Sequence, residues 1–261
     1  LGIPLPDPDD VMTPTILSAA IAPPEHTRST AETLRLVEQW LADQEPRFRR
    51  KVMGLFEVSG VARRYSIFDV AEIFSPLSFA ERNAIYIERM LPLAERAIRT
   101  AAERAGLAVS DLGGIVTTSC TGITIPALDA ALVNRLRLRQ DIVRLPIFQL
   151  GCAGGVAGLN FANALIRSGS AQSVAVLAVE SPIAAFQPMD LSMTNMVSAA
   201  IFGDGVACAI VSGSPPSGKA LPEIVDAGMY HFYESERLMG FDLVETGLKM
   251  VLDPAVPEQI E

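Results

Sequence analysis

Between residues 107 and 213, continuous apolar runs alternate with stretches of helical period, and few folds accept that alternation. The runs are Ile142 to Leu150, interrupted by Pro146, then Val174 to Val179 and Val206 to Val211, with Gly114 to Thr118 as a shorter one. A strand that is apolar at every position is buried on both faces, as in the centre of a parallel sheet. Pro126 to Arg137 and Ala153 to Arg167 read as the covering helices. The alternation predicts an α/β fold: one mainly parallel sheet of βαβαβ type with helices on both faces.

The flanks read differently. Residues 1–28 are rich in proline without clear periodicity and are expected to wrap the surface. Ser29 to Glu32 is a capping box that opens a helix carrying Leu34, Val37 and Leu41. A second box, Ser78 to Glu81, starts a long helix to about Ala105, with a kink expected at Pro92 and a stop at Gly106. Ser212 to Gly218 has linker composition. Beyond it, Glu223 to Phe232 reads as a strand, Gly240 to Leu252 as a β-hairpin, and Pro257 to Glu261 as the first turn of a helix. Two units follow: residues 1–213, complete, and residues 214–261, the linker and the beginning of a second half.

Composition narrows the partners. Hydrophobic residues at 49% and charged residues at 20% describe a globular chain, and a net charge of −9 argues against nucleic acid and anionic membrane surfaces. No apolar stretch is long enough for a membrane span, and no basic segment precedes an apolar one as in a signal peptide. Three cysteines, Cys120, Cys152 and Cys208, make neither a disulfide framework nor a C-x-x-C metal site. A reducing cytoplasm and a chemical role for one cysteine are the expectation, with no metal.

The sharpest local feature is Leu150-Gly151-Cys152-Ala153-Gly154-Gly155, where a strand runs into a cysteine and a glycine-rich helix start. Free N–H groups and the positive end of the helix dipole stabilise a thiolate there, and glycines admit a substrate. A cysteine so placed can carry an acyl group; it can equally be a small hydrophobe in a tight turn. Phe202-Gly203-Asp204-Gly205 reads as a turn into a strand, and Thr117 to Pro126 as a strand end whose hydroxyls serve turns and caps.

Taken together, the set resembles the type III polyketide synthases, the chalcone-synthase-like branch of the thiolase superfamily. The resemblance rests on Arg63-Arg64-Tyr65, Thr118-Ser119-Cys120-Thr121-Gly122 with Pro126, Gly151-Cys152-Ala153-Gly154-Gly155, Glu180, Phe202-Gly203-Asp204-Gly205 and Gly247-Leu248. Cys120-Thr121-Gly122 is similar to the bacterial members. The implied fold is thiolase-like.

The implied reaction is an acyl transfer. Cys152 takes the starter from an acyl-CoA, and malonyl-CoA is decarboxylated and condensed onto it to give a pyrone, resorcinol or phloroglucinol type of polyketide, with no cofactor. Phe202 matches the gate between the CoA tunnel and the acyl cavity. Cys120, Thr121, Pro182, Ala185 and Met250 match cavity-lining positions, where small Cys120 and Ala185 leave room for a bulky or long chain; each is also open to a reading as packing alone. Arg63 and Arg64 match a basic loop for the CoA phosphates or are a solvated charged face. Ile125 matches a residue that crosses between the subunits of a homodimer.

The family's catalytic histidine and asparagine lie in His-Pro-Gly-Gly and Gly-Asn-x-Ser motifs, and neither motif occurs in these 261 residues; His26 and His231 match neither. The expectation is a truncated synthase. Two alternatives stand beside it. An initiating ketoacyl-carrier-protein synthase would differ in taking carrier-protein thioesters, and an inactive dimerisation or binding fragment would not be labelled at Cys152 by an acyl-CoA.

Overall fold

A computed structural model describes residues 13–216, 218 and 220–256. Its centre is a five-stranded sheet of β1 (Thr15–Ile21), β4 (Gly114–Ser119), β5 (Val143–Phe148), β6 (Ser173–Glu180) and β7 (Gly205–Ser212), in the order β1-β7-β6-β4-β5. β4 pairs parallel with β5 and with β6, whereas β7 pairs antiparallel with both β6 and β1. Four strands therefore share one direction and β7 alone is reversed. The three long apolar runs lie in this one sheet, as the alternation predicts.

Both faces are covered, and the strand period decides which residue serves which face. In β6, Ala175, Leu177 and Val179 join a cluster with Tyr86, Met90 and Ile98 of the long helix α4 (Phe79–Ala105). Their neighbours Val174 and Val176 join Ala162 and Ile166 of helix α6 (Gly154–Arg167) on the other face. Gly158 lets α6 sit close, since a Cβ there would stand 2.7 Å from Val176 Cγ1.

Several elements match their sequence signals. Ser29 and Ser78 form complete capping boxes for α1 (Thr30–Trp40) and α4. Gly106 closes α4 at φ 72°, a left-handed conformation that glycine adopts without steric cost. Helix α4 runs unbroken through Pro92. Helix α5 (Leu128–Leu136) starts two residues after the proline expected to open it. The hairpin of β8 (Met239–Val244) and β9 (Gly247–Leu252) is present.

Other expectations need correction. The arm does not simply wrap the surface: Thr15 to Ile21 is the edge strand beside β7, because its apolar residues complete the sheet. His26–Ser29 forms β2, paired with β3 (Arg63–Ser66), and Pro46–Val58 forms helix α2. β5 is an edge strand, which is why the ladder tolerates Pro146. Glu223 to Phe232 is not a strand. Only Glu223 bridges, to Thr15, and the rest finds no strand partner among the described residues. His231 is therefore not in a strand. Pro257 to Glu261 lies outside the described residues.

Candidate active site

Cys152 sits in a single 3-10 turn, Gly151–Ala153, between the end of β5 and the first residue of α6. The turn is tight: Gln149 has φ 76° and Gly151 φ 54°. A glutamine at positive φ costs on the order of 1 kcal/mol, so the surrounding packing imposes it. Gly154 is part of that packing, since a Cβ there would lie 3.2 Å from Thr118 Cβ in β4. The arrangement holds the cysteine exposed at the head of a 14-residue helix.

The second element is the segment following β4, braced by three side chains. Glu180, at the end of β6, accepts hydrogen bonds from Cys120 N at 3.0 and 3.1 Å, from Thr121 N at 3.2 Å and from Thr121 Oγ1 at 2.5 Å. Tyr86 shares a 2.8 Å hydrogen bond with Ser119 Oγ and donates to Val179 O at 3.2 Å. Asn83 clamps Ile123, donating to its carbonyl and accepting from its N–H, both at 2.8 Å. Burial raises the Glu180 carboxyl above its usual range, against the opposing pull of the Thr121 hydroxyl and the backbone donors.

Cys120 is part-buried beside that carboxylate. Burial first, then the Glu180 charge and hydrogen bond, then Cys152, push its thiol up to about 12. Cys208, inside β7, is pushed up to about 12 by burial alone. Of the three thiols only Cys152 is exposed.

The third element is the turn after helix α8 (Met193–Ile201). Phe202 ends that helix half-buried, with its N–H on Ser198 O at 3.0 Å. Asp204 is fully enclosed, and its carboxylate accepts from Ile67 N at 2.8 Å and Ile183 N at 3.1 Å. Burial pushes this carboxyl up to about 7 even though the backbone donors and the Ser181 and Ser66 hydroxyls pull it down.

That shift carries a sign. An unfolded aspartate titrates at about 3.9. Between there and about 7 the folded chain holds the extra proton, so Asp204 contributes stability below this window and loses it as pH rises through it. The urea midpoint is expected to fall between pH 4 and pH 8, and to fall by less in Asp204→Asn. Equal pH slopes in the two proteins would refute the assignment.

The remaining positions fall into two groups. Pro182 opens the short helix α7 (Pro182–Ala185), Ala185 is buried at its end, and half-buried Met250 lies on β9, which packs on α7 and α8. Ser181 N donates to Thr121 Oγ1 at 2.7 Å, so one bonded chain links Cys120, Thr121, Glu180 and the α7 wall. The Thr121 hydroxyl donates to Glu180 and accepts from Ser181 N, which makes Thr121 a brace between them.

Arg64 is buried over the Phe56 ring and donates to Ser59 Oγ at 3.1 Å, to Thr30 Oγ1 at 3.3 Å and to Ala200 O, so its guanidinium is engaged inside the protein and not on a solvated charged face. Arg63 is exposed. Ile125 is 96% exposed. Sequence reasoning assigned no role to Glu180, Asp204, Tyr86 or Asn83. The available signals were an acidic residue closing the apolar run Val174 to Val179 and an aspartate inside the Gly203-Asp204-Gly205 turn.

A mixed sheet covered on both faces, with an exposed cysteine at the head of the helix that follows its edge strand, defines a thiolase-like fold. The family model for the N-terminal domain of chalcone and stilbene synthases matches residues 16–216, and the chain belongs to this family. Phloroglucinol synthase of Pseudomonas fluorescens is 31% identical over 240 residues, 91% of this chain and 67% of its own length. The 1,3,6,8-tetrahydroxynaphthalene synthase of Streptomyces coelicolor is 30% identical over 247 residues, 95% of this chain and 65% of its own. The chain thus spans about two thirds of the length of these relatives. A crystal structure of the Streptomyces coelicolor enzyme, a bacterial type III polyketide synthase, superposes with a TM-score of 0.87 at 28% identity, covering 94% of this chain and 69% of that one. Among the described residues, no helix is long and apolar enough to cross a membrane.

Proposed function

We propose that this chain carries the acyl-loading site of a type III polyketide synthase, with Cys152 as the residue that takes an acyl group from CoA. The observation that carries the reading is the exposed Cys152 at the head of α6, beside a braced segment whose own thiol is pushed up to about 12. The thiolate attacks the thioester carbonyl, a C–S bond forms to Cys152, and CoA leaves as its thiolate. Free N–H groups at the start of α6 favour the negative charge that develops. Malonyl-CoA is the proposed extender, and its decarboxylation supplies the enolate for condensation.

Phe202, Pro182, Ala185, Met250 and the Cys120 side chain are the proposed walls of the acyl cavity, and Arg63 is the exposed candidate for a CoA phosphate. The family's histidine and asparagine motifs are not in these 261 residues, so the chain as given is expected to load but not to extend. The relatives named above favour polyketide synthesis over the carrier-protein-dependent alternative. Incubation with an acyl-CoA, tryptic digestion and mass spectrometry test the reading: the acyl mass is expected on the Cys152 peptide, and its appearance on Cys120 would overturn the assignment.

Assembly follows from Ile125. A large aliphatic side chain 96% exposed next to Pro126 favours a partner surface, and a homodimer is proposed. Sedimentation at micromolar concentration is expected to show dimer and Ile125→Glu to shift it toward monomer; a wild-type chain that is wholly monomeric would count against it.

A further inference from the structure

The carboxylate of Asp204 joins three segments that the proposed reaction uses separately. Oδ2 accepts from Ile67 N at 2.8 Å, just after β3. Oδ1 accepts from Ile183 N at 3.1 Å, in α7 between Pro182 and Ala185. Asp204 N donates to Tyr65 O at 2.9 Å, and Gly203 lies so near that backbone that a Cβ would stand 3.2 Å from Tyr65 O. The turn that begins at Phe202 therefore cannot slide along β3, and α7 cannot slide along the turn.

Ionised, above about pH 7, Asp204 supplies two acceptor oxygens diverging toward two different segments. An amide offers one acceptor and turns the other position into a donor. No cation forms an ion pair with Asp204 among the described residues, so its role is not charge neutralisation; Arg28 is the cation near enough to feel its field. The linkage continues through Ser181 N and Thr121 Oγ1 to Glu180 and the backbone of Cys120.

We propose that Asp204 is a positioning residue that fixes the spacing between the Phe202 turn and the α7 wall and so sets which acyl thioesters reach Cys152. The proposal rests on the reading of Cys152 as acyl carrier and Phe202 as gate. A displaced α7 wall matters most to a long chain, less to a two-carbon one, and not at all to a small alkylating reagent.

The test compares wild type with Asp204→Asn by three readouts: alkylation of Cys152 by iodoacetamide, and acylation of Cys152 by acetyl-CoA and by dodecanoyl-CoA. Alkylation is expected to stay within about twofold, acetyl transfer to fall by less than about threefold, and dodecanoyl transfer to fall by about tenfold or more, mainly through the half-saturating concentration. Equal losses with both donors, or no loss, would overturn the proposal. Should Asp204→Asn fail to fold, Gly203→Ala moves the same turn against Tyr65 without touching the carboxylate. It is expected to shift the ratio of the two donors in the same direction, and an unchanged ratio would likewise overturn the proposal. Wild type that accepts neither donor defeats the acyl-carrier reading and the inference with it; wild type that loads, with an unchanged ratio in the variants, defeats the inference alone.

Discussion

Cys152→Ala is expected to end acylation of the chain by acyl-CoA, to the detection limit of intact-mass spectrometry. No other thiol can substitute. Cys208 is buried in β7, and Cys120 is held beside the Glu180 carboxylate, both pushed up to about 12. At pH 8 such thiols are thiolate at a level of about one part in ten thousand, and the thiolate is the nucleophile. Cys152 alone is exposed and placed at a helix start. In wild type, iodoacetamide is expected to modify Cys152 well before either of the others, and an acyl-CoA to protect it. Cys120→Ser should leave loading largely intact. Residual acylation in Cys152→Ala would show that another group is the carrier.

Gly122→Ala is expected to cost about 3 kcal/mol or more, at the upper end for overpacking a core. A Cβ at residue 122 would stand 2.0 Å from Tyr86 Cε1, and that ring is fully buried with its hydroxyl bonded to Ser119 and Val179. The ring cannot swing aside without breaking both bonds, and the backbone of residue 122 cannot retreat because Asn83 grips Ile123. Tyr86→Ala removes the obstructing atoms Cε1, Cδ1 and Cζ. In that background the cost of Gly122→Ala should drop below about 1 kcal/mol, whereas independent sites add within about 0.5 kcal/mol. Additive costs in urea denaturation would rule out the clash as the cause.

The sheet was legible because its central residues are apolar at every position. Val174 to Val179 must bury both faces, and no amphipathic helix shows that pattern. The helix starts were legible where a side chain caps them, at Ser29 and Ser78, although the equivalent box at Asp69 and Glu72 opening Val70–Phe74 passed unnoticed before so short a helix. β1 was missed because its partner, β7, lies nearly 200 residues downstream, and pairing at that distance leaves no local trace. The same reasoning limits the site. Cys152 announces itself through its glycines, but Glu180 and Asp204 act on backbone N–H groups of residues 21 to 137 positions away in the chain. Arg64 is the converse case: adjacent arginines look alike in a sequence, and only the fold turns one outward and the other onto Phe56.

The grip of Glu180 on residue 120 has a consequence for how such a cavity can diversify. Its carboxylate holds the main-chain N–H groups of residues 120 and 121, with only a 3.6 Å contact to the Cys120 sulfur. Any amino acid but proline at 120 brings the same N–H, so the hold survives substitution. A lineage or a designer can therefore exchange the side chain at 120, widening or narrowing the space beside the nucleophile, while the strand end stays in register. Threonine at 121 has no such licence, since its hydroxyl is itself a strut between Glu180 and Ser181. Adjacent positions on one loop thus differ sharply in evolvability: the one held through its main chain is free to change, and the one held through its side chain is not.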